Sequence, residues 1–256
     1  MRRSAWRRRL FCEGACAALL ALTAGVSPNV QAEPLRVCTV VWPPHVVIAA
    51  DRVTVAGTHT DLVTRAMRQA GFELSIDAVT WERCLRDLSD GYYAAAYAAS
   101  YREERSFYAV YPREPLDTVR YIIVVRRGEG RGWNALHKFS ELPQPVAAPR
   151  GWAVTDELRL QPGLVVDDSS TQNDQDIRKL LAGRVGSVVV EKHTADALLA
   201  AFDRDRRLEI LKEPLQGERR YFMIFSRKAL GETGATQVAE RFSQAMMTLR
   251  SGKGMP

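Results

Sequence analysis

Three short segments carry the side chains best suited to gripping a small polar molecule. In Trp42-Pro43-Pro44-His45 an aromatic ring stands beside two prolines, whose fixed φ makes a rigid platform. In Ser100-Tyr101-Arg102-Glu103-Glu104-Arg105, leading to Tyr111-Pro112, either guanidinium could hold a carboxylate through two parallel hydrogen bonds, which a lysine cannot do. As a bare Arg-Glu-Glu-Arg run, the same residues equally suit a solvated face with internal ion pairs. The third segment, Gly183-Arg184-Val185-Gly186-Ser187-Val188-Val189-Val190-Glu191, ends an apolar run in a carboxylate. Glu191 could accept hydrogen bonds from an ammonium group, or be an ordinary strand-end acid. Gly151-Trp152, just before a helix, could turn backbone amides toward an anion or form a simple turn. Signals for catalysis are sparse. The four histidines, His45, His59, His137 and His193, show no zinc-like spacing. There is no Gly-rich phosphate loop and no Gly-x-Ser-x-Gly elbow. The sequence therefore asks for no metal and no cofactor, and binding outranks catalysis.

These residues need strand ends and helix starts to hold them, and the chain supplies such elements in alternation. Leu35 to Val41 reads as a strand, Leu62, Val63, Ala66, Met67 and Ala70 recur at helical spacing, and Gly71 offers a stop. Glu73 to Val79 alternates as a strand does, Trp81 to Leu88 reads as a helix, and Tyr93 to Ala99 as a strand. The order returns later: strands at 145–149, 164–166, 188–190 and 208–211, with helices at 153–160, 174–182 and 194–202 between them. Val-rich runs of this kind suit mostly parallel sheets covered on both faces. Val119 to Arg126 reads as one long strand with Tyr221 to Ser226 as its partner, and a last helix runs from Thr236 to Ser251. Two such units with two long connecting strands predict two α/β lobes. A ligand is then expected in the cleft between them, at the carboxyl ends of strands.

The amino terminus reads as an export signal spanning residues 1–32. Arg2, Arg3, Arg7, Arg8 and Arg9 precede an apolar stretch from Ala15 to Val26, too short to span a bilayer, and Val30-Gln31-Ala32 fits a cleavage site. Cys12 and Cys16 would leave with it. Of 36 basic and 30 acidic residues, the signal holds five arginines and Glu13, leaving 31 against 29, a net charge of +2. A near-neutral product loses the main argument for a nucleic-acid partner. The remaining residues, 33–256, suffice for one large domain or two smaller ones. Cys38 and Cys84 are the two cysteines left, and an oxidising, exported setting predicts a disulfide between them.

Taken together, the pieces resemble the extracellular solute-binding proteins of family 3, the amino-acid-binding components of bacterial ABC importers. The resemblance runs along the whole of 33–256. It rests on Trp42-Pro43-Pro44, Gly57-Thr58-His59-Thr60-Asp61-Leu62, Trp81-Glu82-Arg83-Cys84-Leu85 with Gly91, Ala99 to Arg105 with Tyr111-Pro112, and Gly183-Arg184-Val185 with the strand ending in Glu191. It implies the type II periplasmic-binding-protein fold, two Rossmann-like lobes joined by two hinge strands. Lobe 1 would take residues 33–118 and 222–256, and lobe 2 residues 119–221. It also implies a monomer in the periplasm, handing an amino acid or related zwitterion to a membrane permease. Trp42, Ser100, Arg105, Trp152 and Glu191 would form the site, with Arg105 on the α-carboxylate and Glu191 on the α-ammonium. Several positions depart from the family pattern: Ala94 and Gly186 stand where an aspartate is usual, Trp152-Ala153 where small hydroxyl residues are, and Glu191 where Asp is. A few relatives on this fold are periplasmic dehydratases of a cyclohexadienyl amino-acid precursor, and a ligand-free sensory or interaction domain is the third possibility.

Overall fold

The computed structural model describes residues 33–130, 132–133, 138–211 and 217–252. The expected export signal and His137 lie outside them. Along the chain come β1 (Leu35–Thr39), β2 (Val47–Ile48), β3 (Val55–Ala56), α1 (Thr58–Gln69), β4 (Leu74–Ala78), α2 (Trp81–Ser89), β5 (Ala95–Ser100), β6 (Ala109–Val110) and β7 (Asp117–Val119). There follow β8 (Tyr121–Arg126), β9 (Val146–Ala147), α3 (Ala153–Arg159), β10 (Val166–Asp167), α4 (Asn173–Leu181), β11 (Ser187–Glu191), α5 (Lys192–Phe202), β12 (Leu208–Ile210), β13 (Arg219–Ser226) and α6 (Arg227–Arg250).

Two mixed sheets form two lobes. The first has the order β4-β1-β5-β13-β6, with β7 also on β13; the second has the order β10-β9-β11-β8-β12. Each contains three parallel strands, followed by one antiparallel strand that arrives by a crossing from the other lobe: β13 beside β5, and β8 beside β11. The second sheet explains the Val-rich pattern. Val188 and Val190 of β11 pack into one apolar cluster with Ile122 and Val124, while Val189 packs on the opposite face with Ile123 and Val125. With both faces covered, every residue of the strand is buried, so no polar–apolar alternation arises.

The structure corrects the sequence reading at the crossings. The expected strand over Val119 to Arg126 breaks at Arg120: β7 pairs with β13 in the first sheet, while β8 pairs with β11 and β12 in the second. Backbone groups on the two sides of Arg120 thus find partners in different sheets, which a local pattern does not reveal. The strand from Arg219 is accordingly no partner of β8. The two crossings meet instead through their tyrosines, with Tyr121 Oη 2.6 Å from Tyr221 Oη. Burial pushes both phenols up, Tyr221 to about 12, so the pair stays neutral. The last helix begins at Arg227 rather than Thr236, capped by Ser226 Oγ accepting from Ala229 N–H, and is interrupted at Gly231 with φ 71°.

Cys38 on β1 and Cys84 on α2 form the expected disulfide, with Cα atoms 5.6 Å apart and a sequence separation of 46. Closing a loop of that length restricts the unfolded chain by about 4 kcal/mol. The bridge pins α2, which begins with Trp81, beneath the first sheet. No helix among the described residues is long and apolar enough to cross a membrane.

Candidate functional site

Four of the five expected site residues stand around one small hollow or within reach of it, where the lobes face each other. Its walls are Val40, Trp42, Trp81, Ala98, Ser100 and Tyr221 from the first lobe, with Trp152 and Ala153 from the second. The cavity is about 20 Å³. That is the scale of a water molecule, far below the roughly 300 Å³ or more typical of a small-molecule site. A wider, more polar hollow of about 360 Å³ shares Ser100 and is lined by Tyr101, Glu157 and residues 217–220.

The lobes are drawn together by several contacts. Arg102 Nη2 donates to the carbonyl of Ala153 at 2.9 Å and to Asp156 Oδ2 at 3.1 Å. The Arg219 guanidinium, on the second crossing, pairs with the Glu157 carboxylate. Gly151 lies so close to Glu82 that a Cβ would meet its Cγ at 2.7 Å, and the φ of +75° there also favours glycine. The Trp42 and Trp152 rings meet edge to face at 5.7 Å. Gly186, where the family pattern has an acid, has no room for one: a Cβ would stand 2.3 Å from the Pro143 carbonyl carbon.

Arg105 is carried by a short 3-10 turn, Glu103–Phe107, that follows directly after β5. The turn leaves Glu103 and Glu104 exposed and folds Arg105 inward to 5% exposure. Its Nη1 donates to the Ser100 carbonyl at 2.8 Å and reaches Ser100 Oγ at 3.5 Å, and the guanidinium lies 5.6 Å from the Trp81 ring centroid. Among the described residues no carboxylate pairs with it. A buried cation ordinarily has such a partner, because burial of an unpaired charge is costly. Two neutral donors in the same cleft share the condition: the indole N–H groups of Trp42 and Trp152 are buried without an acceptor among the described residues. The amide of Trp152, by contrast, is engaged with the Pro149 carbonyl at 3.3 Å, and so is not free for an anion.

Glu191 is the opposite case. It ends β11 and caps α5, and its carboxylate is wholly buried and wholly partnered. Oε1 accepts from the His193 amide at 2.9 Å and lies 3.1 Å from His193 Nδ1. Oε2 accepts from the Thr194 amide at 2.8 Å and from its hydroxyl at 3.0 Å, and lies 3.0 Å from His45 Nε2. Burial alone would raise its pKa, but the His45 contact and the two amides outweigh it and bring it down to about 2. The His45 link also ties the loop after β1 to the second lobe.

His45 is the residue that sequence reasoning passed over as a mere neighbour of Trp42. Its ring lies 4.6 Å from Trp42 and 4.3 Å from His59, whose Nε2 is 2.9 Å from Asp117 Oδ2. Burial pulls the His59 pKa down, and Asp117 opposes this without overcoming it. Folding thus brings together His45, Glu191 and His193, and also His45, His59 and Asp117, as sets whose ligand atoms lie within 4.8 Å of one another. The only hint in the sequence was the pair of polar groups at Glu191 and His193; the rest is assembled across 146 residues.

No protein-family model matches the sequence, and no curated protein matches it. Solved structures do resemble it in fold. Holo ArgBP from T. maritima is 20% identical, over 84% of this chain and 90% of that one, with a TM-score of 0.67. ArtJ from Geobacillus stearothermophilus, described as arginine-, lysine- and histidine-binding, is 18% identical over 86% and 91%, with a TM-score of 0.66. An ancestral arginine-binding protein bound to glutamine is 18% identical over 86% and 93%, with a TM-score of 0.69. The two lobes therefore have the type II periplasmic-binding-protein fold, as the sequence resemblance implied.

Proposed function

We propose that the chain is an exported solute-binding protein that captures a small carboxylate-bearing molecule, an amino acid or a related zwitterion, and presents it to the permease of an ABC importer. The observation that carries this reading is Arg105: a guanidinium at 5% exposure, beside an inter-lobe cleft, held by Ser100 and with no acid paired to it among the described residues. A solute carboxylate supplies the missing charge. Its oxygens also give the Trp42 and Trp152 N–H groups the acceptors they lack, and the Trp42, Trp81 and Trp152 rings cover its apolar part. Because the cleft is nearly filled, capture needs the lobes to part about the two crossings and close again on the solute. The Cys38–Cys84 bridge suits an exported, oxidising setting.

Glu191 takes a different part from the one the resemblance implies. Its oxygens are ringed by protein donors, so a solute ammonium reaches it only by displacing His45. A carboxylate without an α-amine therefore fits the cleft as well as an amino acid does. The dehydratase reading needs a proton donor at this position, and an acid held ionised by its donors is none.

A thermal-shift screen of the amino acids, their 2-oxo-acid counterparts and simple carboxylates tests the proposal, since a ligand of the native state raises the unfolding midpoint by mass action. The expected result is a shift by one or more carboxylates that is lost in Arg105→Ala. Removing one partner of a buried charge pair should weaken binding by about 3 kcal/mol, a factor of roughly 100 or more. A shift that survives Arg105→Ala, or silence toward every carboxylate, would overturn it; the second result points to an interaction domain.

A further inference from the structure

We propose that His45, Glu191 and His193 bind a divalent transition-metal ion of the Zn2+ class across the mouth of the two lobes. The set is two imidazoles and one carboxylate, three of the four ligands a tetrahedral zinc ion takes, with one position left open. Its atoms already face each other: His45 Nε2 is 3.0 Å from Glu191 Oε2, His193 Nδ1 is 3.1 Å from Glu191 Oε1, and all three residues offer ligand atoms within 4.8 Å. In a tetrahedral site with bonds of about 2.0–2.1 Å, ligand atoms stand about 3.3 Å apart. The two contacts to the carboxylate are thus close to the final spacing, and a modest swing of His193 completes it. That side chain is 70% exposed, so it has room to move, and it gives the ion a way in from solvent.

The groups behind the ligands are those a metal site uses to hold its ligands still. The second nitrogen of His45, Nδ1, lies 3.3 Å from Thr58 Oγ1, which fixes the ring and leaves Nε2 for the ion. The Glu191 carboxylate is oriented by the His193 and Thr194 amides and the Thr194 hydroxyl, none of which competes for the imidazoles. A carboxylate with an imidazole nitrogen facing each of its oxygens already turns three ligand groups toward one another. The ion satisfies three groups at once and links residues of both lobes. The His59 ring lies behind His45, commits its Nε2 to Asp117 Oδ2 at 2.9 Å, and with Asp117 stays outside the proposed set. The three ligands are not residues of the Arg105 cleft, so either reading can fail alone.

The test uses the purified protein stripped with a chelator. Titration with Zn2+ by calorimetry, and with Co2+ by visible absorption, should give one ion per chain, a raised unfolding midpoint and the intense bands of four-coordinate Co2+, all reversed by EDTA. His193→Gln, an exposed position where folding is not at risk, should weaken Zn2+ binding at least about tenfold, and His45→Gln at least about 100-fold. Circular dichroism of each variant confirms that it is folded. Absence of stoichiometric Zn2+ and Co2+ binding, or binding unchanged in both variants, would remove the site.

Discussion

Glu191 and Asp176 are both wholly buried acids of the second lobe, yet they end in opposite states. Glu191 meets two backbone amides, a hydroxyl and two imidazoles, and its pKa falls to about 2. Asp176, in the first turn of α4, accepts from Ser170 Oγ through Oδ1, has Lys179 Nζ at 3.7 Å from Oδ1, and finds no partner for Oδ2 among the described residues. Burial, aided by the charge of Asp167, pushes it up to about 7 against the pull of Ser170 and Lys179. Lys179 is held away by Asp167, which it meets at 2.7 Å. Depth is the same in both places, so the number of donors decides which acid stays charged. The same accounting marks Arg105 as a cation with no acid paired to it among the described residues and Glu191 as an acid that has no need of a solute ammonium.

Turning each acid into its amide should have opposite effects. Asp176→Asn is expected to stabilise the protein near pH 8, by up to about 4 kcal/mol, because one pKa unit is worth 1.36 kcal/mol. The sign follows from linkage. With the folded pKa above the unfolded value, the native state holds the proton longer. Stability is therefore undiminished below the unfolded value and is lost as pH rises toward about 7. Urea midpoints of the two proteins at pH 4 and pH 8 check this; an equal gap at both pH values would refute it. Glu191→Gln should instead cost about 2 kcal/mol at pH 7, since it strips a helix cap of its charge and turns an amide N–H2 toward donors. If Glu191→Gln proved neutral, the carboxylate would not be carrying the contacts described, and the contrast with Asp176 would dissolve.

What was legible beforehand follows the range of the interaction. The parallel strands and their helices could be read because burial on both faces leaves continuous runs such as Val188-Val189-Val190. The paired cysteines could be read from their setting. Arg120 could not, since the switch of sheet there is decided by β11 and β13, far away in sequence. Nor could the state of Arg105, because Arg-Glu-Glu-Arg looks solvated until the 3-10 turn folds one guanidinium inward and leaves both glutamates outside. Residue type singles out the segments, and the family resemblance picks Trp42, Ser100, Arg105, Trp152 and Glu191 within them. Their vacancies and partners arise only once His45, Thr194 and Trp81 are in place.

The smallest expected effect tests the same rule on an uncharged group. Trp152→Phe keeps a ring at the lobe boundary and removes one buried N–H that has no acceptor among the described residues. Losing apolar area should cost about 1 kcal/mol, and relief of an unsatisfied donor should return a similar amount or more. The free protein should therefore be as stable as before, or more stable by about 1 kcal/mol, an unusual outcome for trimming a large buried side chain. Carboxylate binding should weaken by about 1 kcal/mol, roughly fivefold, because the solute oxygen loses a donor. Urea unfolding of the free protein and calorimetry with whichever carboxylate gives a thermal shift separate the two quantities. A variant that loses stability but not affinity would show that the Trp152 indole serves the packing of the lobes and not the solute.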